Sequence, residues 1–348
     1  MRKILQNHKG SQKSARLAIL ALGILFLVVF LGKSTAFLTS LQKPLNLKSE
    51  KQYSWNGKSS LNLIYVSLSA VLEQQISVIT IDPNEKKATI LSVPNKAYAQ
   101  LPKDFGWWEV GSIYKLGQEE NPPIGGSLLK LSLSKLLGLP VDGIIILNSK
   151  DPKTAQSFIE RFHSNPIYAL TIMPDIKTDL TPNEIFQTYQ VLTTIRSDKI
   201  ISLNLERSDI TESKLLKDSS RVLGVDNVKL DLYIRQNLAD SKILEEGKSI
   251  AVLNGTDNPG IAAEAARVIA NMGGNVVIIS SADEKAQQSG VYSQAQDGGG
   301  MTKDRLTQIF APRCLNEKCT STDAKITNSR AQITIVLGED YFKFWHAR

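Results

Sequence analysis

The sequence predicts an α/β protein in three parts: an N-terminal transmembrane helix, a layered α/β domain and a small α/β domain at the C-terminus. Three observations predict it. An uncharged apolar run, Leu17 to Gly32, follows a purely basic tail. Short β-branched runs alternate with helical stretches over residues 61–205. A strand, a tight turn, an amphipathic helix and a second strand succeed one another from Ser249 to Ser280.

Composition narrows the classes first. The chain has 348 residues, 42% of them apolar, which is too much apolar material for a disordered chain. Its net charge is +7. Most of that excess lies in residues 1–16, through Arg2, Lys3, Lys9, Lys13 and Arg16, so it marks topology and not a nucleic-acid face. Nucleic acid is therefore not an expected partner. Three dispersed histidines and two cysteines give no metal or triad pattern.

Residues 17–32 cover roughly 24 Å of a ~30 Å hydrocarbon core as a helix, and Arg16 and Lys33 can reach the headgroups. The positive-inside rule puts residues 1–16 in the cytoplasm and everything after Lys33 outside, anchored in the membrane by a single pass. A cleaved signal peptide, with Ser34-Thr35-Ala36 as its processing site, is the rival reading. Export bears on Cys314 and Cys319, which an oxidising compartment would join in a local disulfide; two free thiols are the alternative.

Residues 33–60 are polar and read as a stalk. Leu61 to Leu68, Ile76 to Ile81 and Ala88 to Val93 read as strands, with Asp82-Pro83-Asn84 turning the second into the third. Ser127 to Leu137 is a helix with a broad leucine face, stopped by Gly138. Gly143 to Leu147 is a buried strand. Pro152 to Phe162 and Pro182 to Arg196 read as helices, Ile167 to Ile172 and Lys199 to Asn204 as strands. Residues 206–246 read as a connector, with Asn227 to Gln236 open between strand and helix and a helix near Leu238 to Glu246. The last domain, 247–348, opens with the strand Ser249 to Leu253. Asn258 is expected to cap the next helix, with Pro259 in its first position and Gly273-Gly274 at its end. Asn275 to Ser280 is a strand, 287–300 a loop, Lys303 to Phe310 a helix and Gln332 to Leu337 a closing strand.

Candidate binding residues cluster in two places. Asn254, Gly255, Thr256, Asn258 and Gly260 form a strand-to-helix turn. The turn fails as a P-loop because Ile261-Ala262 stand where Lys and Ser/Thr are needed, and as a dinucleotide fingerprint because position 257 is Asp. A tight structural turn is the plain alternative. Trp107 and Trp108, with Phe105 and Tyr114 nearby, offer faces for stacking on sugar rings, or serve as local core.

The stretch Ala251-Val252-Leu253-Asn254-Gly255-Thr256, with Gly260 and Ala262 and then Gly338, Asp340 and Tyr341 after the closing strand, resembles the LytR C-terminal domain. That resemblance covers 247–343 and implies a cell-envelope protein with no assigned catalytic residues. Residues 61–205 resemble a degenerate LytR-CpsA-Psr (LCP) domain through LNLIYVSL, ISVITIDPNEKKATILSVP, Tyr98 and SLSKLLGLPVDGIIIL. This second resemblance implies transfer of glycopolymers from polyprenyl pyrophosphate to peptidoglycan, with Mg2+ and an arginine cluster. Asn95-Lys96 and Leu72-Glu73-Gln74 stand where that family has its arginines and acids, and only Arg196 falls in the later arginine-rich segment.

The expectation is thus a non-catalytic, extracytoplasmic binding or scaffolding protein at the cell wall. Its expected partners are the membrane and a wall polymer or envelope protein, with no cofactor. The rival is a divergent phosphotransferase using Mg2+, for which Lys96, Arg161 and Arg196 would have to converge beside an acid.

Overall fold

The computed structural model describes residues 53–68, 74–148, 154–164, 175–207, 209–215, 221–293, 300–311 and 329–346. The expected cytoplasmic tail, anchor and most of the stalk, the strand at Ile167 to Ile172, and Cys314 and Cys319 lie outside these residues. Among the described residues no helix is long and apolar enough to cross a membrane.

Strands β1 (Leu61–Leu68), β2 (Gln75–Asp82) and β3 (Lys87–Val93) form an antiparallel meander. The expected turn between β2 and β3 is present, and Asp82 Oδ1 holds it by accepting from the backbone N–H groups of Asn84 and Glu85 at 2.8 and 3.1 Å. After Val93 the chain makes a small hairpin, β4 (Tyr98–Leu101) and β5 (Gly106–Glu109), which no sequence pattern announces. Helices α1 (Val110–Gln118) and α2 (Gly125–Leu137) follow, and Gly138 ends α2 in the left-handed conformation at φ +59°. Strand β6 (Gly143–Asn148) then pairs parallel to β1. Helix α3 (Ala155–Ser164), strand β7 (Ile176–Thr178), helix α4 (Pro182–Thr194) and strand β8 (Ile200–Asn204) complete a six-stranded sheet of order β7-β6-β1-β2-β3-β8.

The two faces of this sheet carry separate cores, because successive strand residues point to opposite sides. Ile64, Val66, Ile76 and Val78 join α1 and α2 in one core. Leu61, Leu63, Tyr65, Ile79 and Ile81 join Phe158 and Phe162 of α3 and Leu192 of α4 in the other. Trp55 is 1% exposed in this second core and its backbone N–H donates to Glu184 at 2.8 Å. Residues 53–60 are therefore part of the domain and not a stalk, which the polar composition of that stretch concealed.

The expected connector is also structural. It holds the hairpin β9 (Thr211–Leu215) and β10 (Arg221–Val225), then α5 (Asn227–Leu238) and α6 (Ser241–Glu246). Asn227 to Gln236 is thus helical, started by Asp226, whose side chain accepts from Val228 and Lys229. Leu230, Ile234, Leu238 and Ile243 enter the first core. Charged outward faces hid this one-sided apolar stripe.

The C-terminal domain runs β11 (Ser249–Asn254), α7 (Ile261–Asn271), β12 (Asn275–Ser281), β13 (Gly290–Ser293), α8 (Gly300–Phe310), β14 (Ile333–Leu337) and α9 (Glu339–His346). Its sheet has the order β12-β11-β14-β13, with β11 parallel to both β12 and β14, so the strand–helix–strand read from the sequence is a parallel βαβ unit. Two elements go beyond the sequence expectation: β13 inside the expected 287–300 loop, and the terminal helix α9.

The two domains are locked together. Arg305 of α8 lies 2.9 Å from Asp142, and the two side chains are 2% and 0% exposed. Tyr53 donates its hydroxyl hydrogen to Asp142 and accepts from Arg305 Nη1 at 3.2 Å, while Asn62 N–H donates to Asp142 at 2.7 Å. Burial opposes the Arg305 charge, but Asp142, Tyr53 and Asp240 together outweigh it and keep the guanidinium protonated. Arg267 of α7 forms a second tie. Its Nε donates to the Asp231 carboxylate, and its Nη1 and Nη2 donate to the Lys135 and Leu136 carbonyls at 2.8 and 2.9 Å. Asn271 adds a bond to the Leu137 carbonyl at 3.2 Å. A cation from one domain so satisfies the last carbonyls of α2 in the other.

Replacing Arg305 with Met strands a buried carboxylate and should cost about 3–5 kcal/mol in denaturant unfolding. The double replacement R305M/D142L should recover much of that loss, because no unpaired charge remains. Glu246, at the end of α6, accepts from the N–H groups of Met301 and Thr302 at 2.9 Å each. Burial raises its carboxyl, but bonds from Thr302 and Met301 and the charge of Lys242 win and hold it below its ordinary value. Its contribution to stability is therefore complete above the ordinary carboxylate range and is lost as pH falls through the lowered value. E246Q should cost about 1 kcal/mol at neutral pH and flatten the acid limb of a stability–pH profile.

Candidate functional site

The NGT turn is occupied by its own hydrogen bonds. Asn254 Oδ1 accepts from the backbone N–H and the hydroxyl of Thr256 at 2.9 and 2.8 Å, and Asn254 Nδ2 donates to the Asn258 carbonyl at 2.8 Å. Asn258 N–H donates to Thr256 Oγ1 at 3.1 Å. Asn258 therefore does not cap α7. The helix starts later, after Gly260, which occupies the cap position at φ +91° without a side-chain bond. The reason is local: the Asn254–Thr256–Asn258 bonds hold residues 254–258 in a loop, and Pro259 lies in the turn before the helix.

Gly255 has a steric reason to be glycine. A Cβ there would sit 2.9 Å from both the Leu337 carbonyl and the Ala286 Cβ. Its N–H donates to that Leu337 carbonyl, and its own carbonyl accepts from Ala286 N–H. The Gly338-x-Asp340-Tyr341 segment works in the same way. Asp340 Oδ1 accepts from Ser289 N–H at 2.9 Å and Ser289 Oγ at 2.7 Å, and Ser289 Oγ accepts from Gly338 N–H at 2.9 Å. These residues bind one another across β11, β13 and β14.

Trp107 and Trp108 do not share a face. On the β4–β5 hairpin Trp107 lies with Tyr98, their rings stacked at 5.6 Å, and Trp107 is 55% exposed. Trp108 alternates to the side of Ala99 and Leu101, which are in the first core, and its indole N–H donates to the Phe105 carbonyl at 2.7 Å. Tyr114 is buried in that core as well, where burial raises its phenol above the ordinary value. The four aromatics therefore form no common platform; Trp107 and Trp108, 55% and 41% exposed, present their open rings on opposite sides of the hairpin.

The cations named for a phosphotransferase do not converge. Arg196 is exposed and pairs with Asp198 at 3.0 Å, just before β8. Lys96 follows the far end of the parallel neighbour β3, roughly 16 Å along the sheet. Arg161 is on α3, which covers the opposite face from the core that holds Ala97. Where the LCP resemblance places charged groups, Asn95 Nδ2 donates to the Gln74 carbonyl at 2.8 Å, and Gln74 Nε2 donates to the Gly111 carbonyl. Among the described residues these two positions carry neutral carboxamides beside a lysine, whereas Mg2+ is held through carboxylates. Among the described residues no three of His, Cys, Asp and Glu gather as a metal site.

A groove between the domains corresponds to none of the sequence motifs. One lobe, about 640 Å3 with its open mouth, is lined by Tyr53, Lys130, Ser134, Gln308, Phe344 and Trp345, among others. A second lobe of about 420 Å3 is lined by Lys135, Glu264 and Arg267 and shares Ser134, Tyr341 and Trp345 with the first. The aromatic run of α9 at residues 341–345 was the available signal.

Residues 248–341 match the family model described as LytR cell envelope-related transcriptional attenuator. This segment is a LytR C-terminal domain. No curated protein matches the chain. Among solved structures, a transcriptional regulator from Enterococcus faecalis is 14% identical over 50% of this chain and 84% of its own, with a TM-score of 0.40. TagV from B. subtilis is 13% identical over 51% of this chain and 95% of its own, with a TM-score of 0.40. TagT from B. subtilis is 14% identical over 55% and 93%, with a TM-score of 0.37. These are loose likenesses and transfer no residue role to this chain.

The NGT geometry makes a prediction about stability. N254A removes the acceptor for Thr256 and should cost about 1–3 kcal/mol in unfolding experiments. G260A should cost roughly 1–2 kcal/mol through the left-handed conformation alone. A purely structural turn predicts unchanged ligand binding by both variants below their melting transitions.

Proposed function

We propose that this chain is a membrane-anchored, extracytoplasmic protein that binds or scaffolds at the cell wall and does not catalyse glycopolymer transfer. The observation that carries the proposal is the LytR C-terminal domain at 248–341, whose family description is cell envelope-related. The basic tail and the apolar run Leu17 to Gly32 support the anchor and its orientation. The dispersal of Lys96, Arg161 and Arg196 supports a role without pyrophosphate chemistry, since phosphoryl transfer needs charge gathered at one point.

Wall binding requires direct contact with the insoluble polymer. The whole chain, purified in detergent, should co-sediment saturably with purified cell-wall sacculi. Failure to pellet overturns direct wall recognition. Mg2+-dependent turnover of a polyprenyl-pyrophosphate-linked glycopolymer by the same preparation overturns the non-catalytic role and puts the transferase reading in its place.

A further inference from the structure

We infer that the outer edge of β12 is a dimerisation surface, on which a second copy of this chain pairs its own β12 in the antiparallel sense. The inference is independent of wall binding.

The two larger sheets end in four strands, β7, β8, β12 and β13, and β12 differs from the other three. Strands β7 and β13 have only three and four residues, and β7 carries Lys177 at its centre. Strand β8 has five residues, and its Ser202 hydroxyl is bonded to Gln156 of α3 at 2.9 Å. Strand β12 has seven residues, Asn275–Ser281, with no Lys, Arg, Asp, Glu or Pro among them. At ~3.3 Å per residue it offers roughly 23 Å of edge. Its only neighbour among the described strands is β11, so half of its backbone N–H and C=O groups face outward without a strand to pair with.

An edge strand is normally guarded against pairing by a lysine, a proline or a bulge. Here the bulge is the only one of these guards. Val277 has no partner in the β11 register, since Val276 lies opposite Ile250 and Ile278 opposite Ala251. The bulge does not remove apolar surface from the edge, because Val277 and Ile279 are 52% and 54% exposed.

The strand itself specifies which strand covers it. Laid antiparallel on itself about Ile278, the run NVVIISS sets Val277 opposite Ile279 of the second copy and Asn275 opposite Ser281 of the second copy. Exposed apolar groups meet each other at the centre, small polar groups meet at the ends, and no charge is buried. Such a pairing uses the same patch on both copies, so it closes at two chains.

Charges beyond the strand select the direction. Asp283 and Glu284, both exposed, follow its C-terminal end. Lys248 stands beside its N-terminal end, because it precedes Ser249, the partner of Asn275. Antiparallel pairing turns the acidic end of each copy toward the lysine end of the other. Parallel pairing would set Asp283 and Glu284 against their own counterparts, which like-charge repulsion opposes.

The experiment is light scattering on the whole chain in detergent, separated by size over a range of concentrations. The parent chain should have the mass of a dimer. V277K/I279K places two cations on each edge at solvent-exposed positions, and it should weaken dimerisation at least ten-fold while thermal unfolding confirms the fold. A dimer held by another segment, the apolar run Leu17 to Gly32 included, would survive that change. The second variant is V277C in a chain whose Cys314 and Cys319 are replaced by Ser. A short bis-maleimide should link it into a dimer, and should not link S202C on β8 in the same background. A parent chain that is monomeric throughout, a dimer unchanged in V277K/I279K, or equal cross-linking at positions 277 and 202 overturns the inference.

Discussion

The contact between Arg305 and Asp142 is the constraint around which the two domains are arranged. Two opposite charges are buried at 2% and 0% exposure, so each is tolerable only while the other is present. Asp142 immediately precedes β6 and is held by the Asn62 backbone N–H, which fixes it to the start of β1. Arg305 projects from the middle of α8. The pair therefore sets the position of the C-terminal domain on the first sheet, and Tyr53 closes the remaining side of the carboxylate. The groove lined by Tyr341 and Trp345 of α9 lies beside the contacts that this pair and Arg267 make between the domains.

The same domain contact explains why the stretch between the sheets is not a linker. Asp240 accepts from Ser60 N–H at 2.6 Å and its own N–H donates to the Met272 carbonyl at 2.9 Å. Met272, at the end of α7, lies in the same core as Leu230 and Ile243. Apolar contacts from both domains so merge into one buried layer beneath α5 and α6. Gly138 belongs to this junction too. A Cβ there would approach Asn271 Nδ2 to 2.6 Å, and its left-handed φ already favours glycine.

The family signatures of the C-terminal domain serve the backbone. Asn254, Thr256 and Asn258 satisfy one another's polar groups, and Asp340 with Ser289 does the same on the neighbouring strands. Such residues shape the turn through their own bonds.

Sequence alone determined the local elements. The β-branched runs LNLIYVSL and QISVITID, the Asp82 turn, the leucine face of α2 with its Gly138 stop, and the succession of strand β11, helix α7 and strand β12 all follow from side-chain pattern and turn chemistry acting over a few residues. It also located the LytR C-terminal domain, because the NGT turn is a local bonding pattern. Tertiary structure decided the rest. It placed Trp55 in a core, split Trp107 from Trp108 across the hairpin, separated Lys96, Arg161 and Arg196, and brought Asp142 to Arg305 over 163 residues. Those outcomes depend on which faces meet, and burial between distant segments leaves no short-range periodic trace in the chain.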